Sequence, residues 1–164
     1  QLRIQVDRVR PPIGYGNISA VDGKTVSFSE YSMTKNSIYV IDNDDNACLA
    51  TALVVAKDYC DSGYNRSVLK KFSGLKGKVF LKQRVAELCN LVGVDLNNGG
   101  HYVHIDDFQK YFCEYTIIVY DNRLGTSVYY EGPRLPNKKC LNLIMEENHF
   151  NVIISLTGAF STQY

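Results

Sequence analysis

Cys48 and His149 are the residues of this chain whose types and surroundings best suit nucleophilic chemistry. Cys48 comes directly before the apolar run Leu49–Ala56, which predicts that it lies in the first turn of a helix. Backbone N–H groups in a first turn have no partner within the helix, and together with the helix dipole they stabilise a thiolate. This position can lower the pKa of a thiol from about 8.5 toward 7 or below, which makes it a usable nucleophile.

His149 could supply the base that such a nucleophile needs, and Asn151 follows it two residues later. The run 150–156 is predicted to be a strand, and residues two apart on a strand point to the same side. Asn151 is therefore expected to accept a hydrogen bond from the imidazole and to fix its tautomer and orientation. Cys48, His149 and Asn151 are together predicted to be the catalytic residues of a cysteine protease.

Two motifs of the chain resemble the ovarian-tumour (OTU) class of cysteine deubiquitinases. The first is the segment Asp45–Leu49 with an apolar helix behind it, and the second is Cys140–Leu143 followed by Asn148–Asn151. The resemblance implies an α+β, papain-type fold in which a central helix carries the nucleophile and packs against a mostly antiparallel sheet. It also implies a nucleophile, a general base and an orienting residue at Cys48, His149 and Asn151. The loop before the nucleophile would supply backbone N–H groups to the oxyanion hole, and its residues are Asp45, Asn46 and Ala47.

The same resemblance implies hydrolysis of the peptide or isopeptide bond after the C-terminal glycine of ubiquitin or a ubiquitin-like protein. Ubiquitin ends in a basic tail, so acidic residues beside the site would suit it. Glu146, Glu147 and Phe150 are therefore predicted to contact the substrate. For the two glutamates, an exposed hairpin turn is an equally good interpretation.

A second resemblance concerns the origin of the chain. Segments Leu53–Lys57, Ile105–Gln109 and His149–Ile153 resemble sequence that precedes protein-primed B-family DNA polymerases in Polinton/Maverick-type transposons and related viruses. This resemblance, and a first residue Gln1 in place of Met, predict that the chain is part of a longer polypeptide. Two alternatives follow: a protease that processes its own polyprotein, or an inactive interaction domain that binds nucleic acid through the basic stretch Arg66–Arg84.

The composition predicts one globular domain over residues 1–164. Hydrophobic residues make up 45% and charged residues 21%, and the net charge of +1 gives no overall attraction to nucleic acid or acidic membranes. Five widely spaced cysteines favour neither a disulfide framework nor a zinc ribbon, which predicts a reducing, intracellular setting in the cytoplasm or nucleus. No cofactor, metal or membrane contact is expected. His101 and His104 are assigned to a loop after a glycine-rich segment, where they would not share a face.

Periodicity predicts strands, then helices, then strands, which is typical of an α+β fold. Residues 1–40 are predicted to form N-terminal strands and turns, and residues 41–156 the catalytic core. The predicted helices begin at Cys48 and near Asp106, and lie over Val68–Phe72 and Val79–Val92, the last ending at Gly93. The predicted strands are Leu2–Asp7, Thr25–Phe28, Ser37–Ile41, Tyr115–Tyr120, Ser127–Tyr130, Cys140–Ile144 and Phe150–Leu156.

Overall fold

The computed structural model of the protein describes residues 37–121 and 127–160. The predicted strands Leu2–Asp7 and Thr25–Phe28 lie outside these residues. The described elements are β1 (Ile38–Tyr39), α1 (Cys48–Asp61), a 3₁₀ helix (Arg66–Phe72), α2 (Gly74–Val92), α3 (Tyr102–Tyr111), β2 (Tyr115–Asp121), β3 (Ser127–Glu131), β4 (Lys139–Glu146), β5 (His149–Ile153) and α4 (Leu156–Phe160). No helix in the described ranges has the length and apolarity that crossing a bilayer requires.

The strands form one five-stranded sheet in the order β1-β5-β4-β2-β3. The pair β2–β4 is parallel, and the other three neighbouring pairs are antiparallel. Helices and a mostly antiparallel sheet confirm the predicted α+β class.

The β4–β5 connection is the tightest hairpin of the sheet. Glu146 pairs with His149, so the loop between the strands is only Glu147 and Asn148. Both loop residues have positive φ, 47° and 67°, which is the backbone of a type I′ turn. This turn matches the twist of the paired strands, and it fixes His149 as the first residue of β5.

Helix α1 is the centre of the core. It packs against β4 and β5 on one side and against α2 on another. The helix predicted from the apolar run Leu49–Ala56 is confirmed; Leu49, Ala52 and Leu53 are fully buried in it, and most of the other α1 side chains are buried too. A helix that is apolar nearly all round is stable only inside a protein, so packing on both sides holds its N-terminus in one place.

Two helices differ from their predicted limits. Helix α2 begins at Gly74, five residues earlier than predicted, and ends as predicted at Gly93, which has a left-handed backbone with φ 76°. Helix α3 begins at Tyr102, so the loop prediction is wrong for His104, while His101 precedes the helix as its N-cap. His104 Nδ1 accepts a hydrogen bond of 2.9 Å from the His101 backbone N–H, and this contact caps the helix.

Smaller differences concern the ends of the last elements. Phe108 and Phe112 are buried, whereas Tyr111 is exposed because α3 presents it to solvent. Strand β5 ends at Ile153 and not at Leu156, which instead begins the short helix α4.

Candidate active site

The fold brings the Cys48 thiol to the β4–β5 turn. Cys48 is the first residue of α1, after the N-cap Ala47, whose carbonyl accepts hydrogen bonds of 2.9 Å from both the backbone N–H and the hydroxyl of Thr51. The Cys48 Sγ lies 4.0 Å from the carbonyl oxygen of Asn148 in the turn, although the two residues are 100 positions apart. The thiol is largely buried, with 7% of the residue exposed.

The thiol and the imidazole perturb each other. Burial by itself would raise the pKa of Cys48, but hydrogen bonds from His149 and from the backbone N–H groups of Phe150 and Leu49 outweigh it and lower that pKa. The hydrogen bond with Cys48 raises the pKa of His149 against the opposing effect of burial. A lowered thiol pKa beside a raised imidazole pKa favours the thiolate–imidazolium pair, the nucleophilic form of a cysteine site.

The backbone of Ile41 orients the imidazole. His149 Nε2 donates a hydrogen bond of 2.9 Å to the Ile41 carbonyl, which leaves Nδ1 for the thiol. The Ile41 N–H donates in turn to Asn151 Oδ1, also at 2.9 Å. Asn151 is buried beside the ring and makes a smaller contribution to the raised pKa of His149. Asn151 thus lies beside His149 on β5 as predicted, but the acceptor of the ring N–H is the Ile41 carbonyl and not the Asn151 amide, which accepts from the Ile41 N–H. No side-chain pattern indicated this backbone group.

Replacing Asn151 with alanine is expected to lower turnover about a hundredfold, since the Ile41 peptide and the ring would lose their fixed geometry. Covalent labelling of Cys48 by an electrophile should still occur in this variant, but at a lower rate. Steady-state kinetics and labelling rates measure the two effects. Asn151→Asp keeps the acceptor and should retain most activity. Asn142→Ala on β4 is the matched control, because the buried Asn142 Oδ1 has no hydrogen-bond partner; equal turnover in Asn151→Ala and this control would remove Asn151 from the site.

The loop before Cys48 is ordered by its own side chains. Asp45 Oδ1 accepts hydrogen bonds from the Ala47 N–H at 2.9 Å and from Asn43 Nδ2 at 2.7 Å. Asn46 Nδ2 donates to the Asn97 carbonyl at 2.5 Å. The Ala47 N–H is therefore occupied, and its predicted place in the oxyanion hole is wrong in this conformation.

The backbone N–H of Cys48 is the donor best placed for an oxyanion. It belongs to the first turn of α1, and it has no hydrogen-bond partner among the described residues. Asp45 and Asn46 hold the shape of the loop through their side chains.

Phe150 does not belong to a substrate-binding surface. Its side chain is fully buried in the core that α1 shares with the sheet. The physical reason is strand alternation: Phe150 lies on the opposite face of β5 from His149 and Asn151. The other two predicted contact residues remain accessible, Glu147 exposed in the turn and Glu146 half-buried opposite His149.

Four of the seven basic residues in the stretch Arg66–Arg84 form ion pairs with three carboxylates in the described part of the chain. Lys71 and Arg84 both contact Asp58 on α1. Two lysines of α2 pair with the loop before the nucleophile: Lys78 with Asp42 at 2.6 Å, and Lys82 with Asp44 at 2.7 Å. These pairs join residues distant in sequence, so the charge run alone overstated the positive surface.

His101 is the N-cap of α3 and His104 lies in its first turn, and their contact caps the helix start. Across residues 37–121 and 127–160, no group of three or more His, Cys, Asp or Glu side chains is arranged to hold a metal ion. The nucleophilic pair is therefore the arrangement with the clearest chemistry in the described part of the chain.

Neither a protein-family model nor a curated protein sequence matches this chain. The functional assignment consequently depends on the geometry of Cys48, His149, Ile41 and Asn151.

Proposed function

We propose that the protein is a cysteine-dependent hydrolase of peptide or isopeptide bonds. The observation that carries the proposal is the meeting of the α1 N-terminus with the β4–β5 turn: Cys48 Sγ lies 4.0 Å from the carbonyl oxygen of Asn148, the residue before His149. The pKa shifts of Cys48 and His149, which have opposite directions, agree with this geometry. A structural cysteine in an apolar core has a raised pKa, as burial produces for Cys60 and Cys89 in this chain. The pKa of Cys48 is lowered and not raised, because His149 stabilises its thiolate.

The reaction follows from these positions. The Cys48 thiolate adds to the carbonyl carbon, and the Cys48 N–H stabilises the oxyanion. His149 donates its Nδ1 proton to the leaving amine as the C–N bond breaks, which leaves a thioester on Cys48. Water then attacks the thioester while His149 accepts its proton, the C–S bond breaks, and the carboxylic acid leaves, which restores the Cys48 thiolate and the His149 imidazolium.

The proposed substrates are conjugates of ubiquitin or a ubiquitin-like protein, handled by an OTU-like domain of a longer intracellular polypeptide. Three features support this reading. The nucleophile begins a central helix that packs on a mostly antiparallel sheet. His149, the proposed base, and Asn151 lie two residues apart on β5, which packs against that helix. The exposed Glu147 beside the histidine gives the site an acidic border.

A ubiquitin derivative with a C-terminal electrophile is expected to label Cys48 covalently, because a thiolate held beside an imidazolium reacts with a carbonyl-mimicking group. Intact-mass spectrometry followed by peptide mapping would locate the adduct. Cys48→Ala should remain unlabelled. Cys113→Ala is the matched control, because Cys113 is an exposed free thiol away from the site, and this variant should label like wild type. Absence of an adduct, or an adduct on Cys113, would contradict the proposal.

A further inference from the structure

The loop of residues 42–47 connects the two halves of the candidate site. Directly before it, the Ile41 carbonyl accepts a hydrogen bond of 2.9 Å from His149 Nε2. At its end, Ala47 is the N-cap of α1, next to Cys48. A displacement of this loop would therefore move the acceptor of the imidazole relative to the thiol.

Two lysines of α2 hold this loop from outside. Lys78 Nζ lies 2.6 Å from Asp42 Oδ2, and Lys82 Nζ lies 2.7 Å from Asp44 Oδ1. Asp42 follows Ile41 in the chain, so the first pair is one peptide away from the acceptor of the imidazole. The lysines are four residues apart, which places both on the face of the helix that is next to the loop.

Helix α2 is a firm support for these contacts. Val85 and Leu88 lie in the buried core that α2 shares with α1, and Arg84 contacts Asp58 on α1. Since α1 begins at Cys48, the helix that holds the loop packs against the helix that carries the thiol. The two ion pairs therefore fix the loop to the same packed unit as the thiol.

We propose that Lys78 and Lys82 are positioning residues, which act through their ion pairs to hold the Ile41 carbonyl against the imidazole. The proposal rests on the proposed hydrolase function, because it assigns the lysines to the same thiol–imidazole site. In each pair, half or more of both side chains is exposed. Exposed ion pairs make small contributions, so the loss of one pair should slow the reaction of the thiol about threefold. Loss of the imidazole itself should have a much larger effect.

The expected effect on the thiol passes through the imidazole. The hydrogen bond with Cys48 is the largest cause of the raised pKa of His149, and the hydrogen bond to the Ile41 carbonyl raises it further. When the carbonyl moves away, the imidazolium is less stable. Burial then opposes ionisation of Cys48 with less compensation, so the pKa of the thiol rises.

The test measures alkylation of Cys48 by iodoacetamide, an uncharged reagent, across pH 5 to 9. Four variants each break one pair: Lys78→Gln, Lys82→Gln, Asp42→Asn and Asp44→Asn. Each should raise the midpoint pH of the profile and lower the rate at pH 6.5 about threefold. Charge acting at a distance predicts a different result, since loss of a lysine would raise the midpoint and loss of a carboxylate would lower it. A positioning role moves all four variants in the same direction.

A charge swap tests one pair directly. Lys78→Glu places a like charge beside Asp42 and should slow alkylation more than Lys78→Gln does. Adding Asp42→Lys to Lys78→Glu should restore the rate to within about twofold of wild type, which a structural role of the lysine stem would not produce. Lys110→Gln is the matched control, because it breaks an exposed pair with Asp106 on α3, 3.0 Å in length, and should leave the profile unchanged. Circular dichroism checks that every variant is folded.

Midpoints that move in opposite directions in the lysine and carboxylate variants would overturn the positioning role, as would an equal shift in Lys110→Gln. If all four variants slow alkylation while the ubiquitin probe fails to label Cys48, the lysines position the thiol–imidazole pair and the hydrolase function fails. If the probe labels Cys48 and the four variants react like wild type, the hydrolase function stands and the positioning role fails.

Discussion

Replacing His149 with alanine is expected to slow the reaction of Cys48 with iodoacetamide at pH 6.5 by about a hundredfold. In the native protein the imidazolium lowers the pKa of the thiol, so more of Cys48 is thiolate at this pH than without the imidazole. Without the imidazole, burial remains and raises the pKa of Cys48. A thiol with an ordinary pKa of about 8.5 is only about 1% thiolate at pH 6.5, and a buried thiol is less ionised still.

The pH dependence has a definite sign. As the pH falls through the lowered pKa of Cys48, the thiolate is protonated and both alkylation and amide hydrolysis decline. As the pH rises through the raised pKa of His149, the imidazolium loses the proton that the leaving amine needs. We therefore expect alkylation to continue at high pH and the proposed hydrolysis to follow a bell-shaped pH profile.

His149→Gln is the control for this prediction. The glutamine amide can donate a hydrogen bond toward the Ile41 carbonyl but cannot carry a positive charge, so the reaction should be as slow as in His149→Ala. Rates of Cys48 alkylation across pH 5 to 9, followed by mass spectrometry, distinguish the variants. A pH profile in His149→Ala that matches wild type would show that the imidazole does not ionise the thiol.

The second large effect concerns Phe150, whose replacement by alanine should reduce the free energy of unfolding by about 3–5 kcal/mol. The ring is fully buried among α1 and sheet side chains, so the change removes apolar burial and leaves a cavity in the closely packed core. Chemical denaturation monitored by circular dichroism gives the change directly. This result would place Phe150 in the scaffold that carries His149, on the opposite face of the strand.

Phe80→Ala is the matched control. Phe80 lies on α2, is 43% exposed, and stacks on Phe72 with ring centroids 6.5 Å apart. Because its environment is already partly solvent, the same substitution should cost about 1 kcal/mol or less. If Phe150→Ala were as mild as Phe80→Ala and instead weakened substrate binding, Phe150 would be a substrate contact, as the sequence alone had predicted.

The long periodic elements could be predicted because local sequence determines them. The stripe through Leu49 and Leu53 indicated α1, and Gly93 marked the end of α2 with the left-handed backbone that glycine adopts easily. The limits of shorter elements could not be predicted in this way. The start of α3 depended on a contact between His101 and His104, which propensity does not reveal.

The side chains of the candidate site could be named from the sequence, but the backbone group among them could not. Cys48, His149 and Asn151 are chemically distinctive residues in suggestive contexts, so their types and spacing indicated them. Ile41 contributes only a carbonyl and an N–H, which every residue other than proline possesses, so nothing in its identity distinguished it. The loop at Ala47 was misjudged for a related reason, since the Asp45 carboxylate occupies the N–H that the motif suggested was free.

The sequence by itself determined that a thiol would begin an apolar helix and that a histidine with an amide two residues on would begin a strand. Both follow from interactions within a few residues: unpaired N–H groups at a helix start and alternation along a strand. Only the tertiary structure decided that this helix start and this strand start meet. The burial of α1 against β4 and β5 brings together residues about a hundred positions apart, and the type I′ turn between those strands places His149. Tertiary structure likewise buried Phe150 and paired lysines of the basic stretch with carboxylates of the loop before Cys48, since burial and electrostatics depend on which distant residues become neighbours.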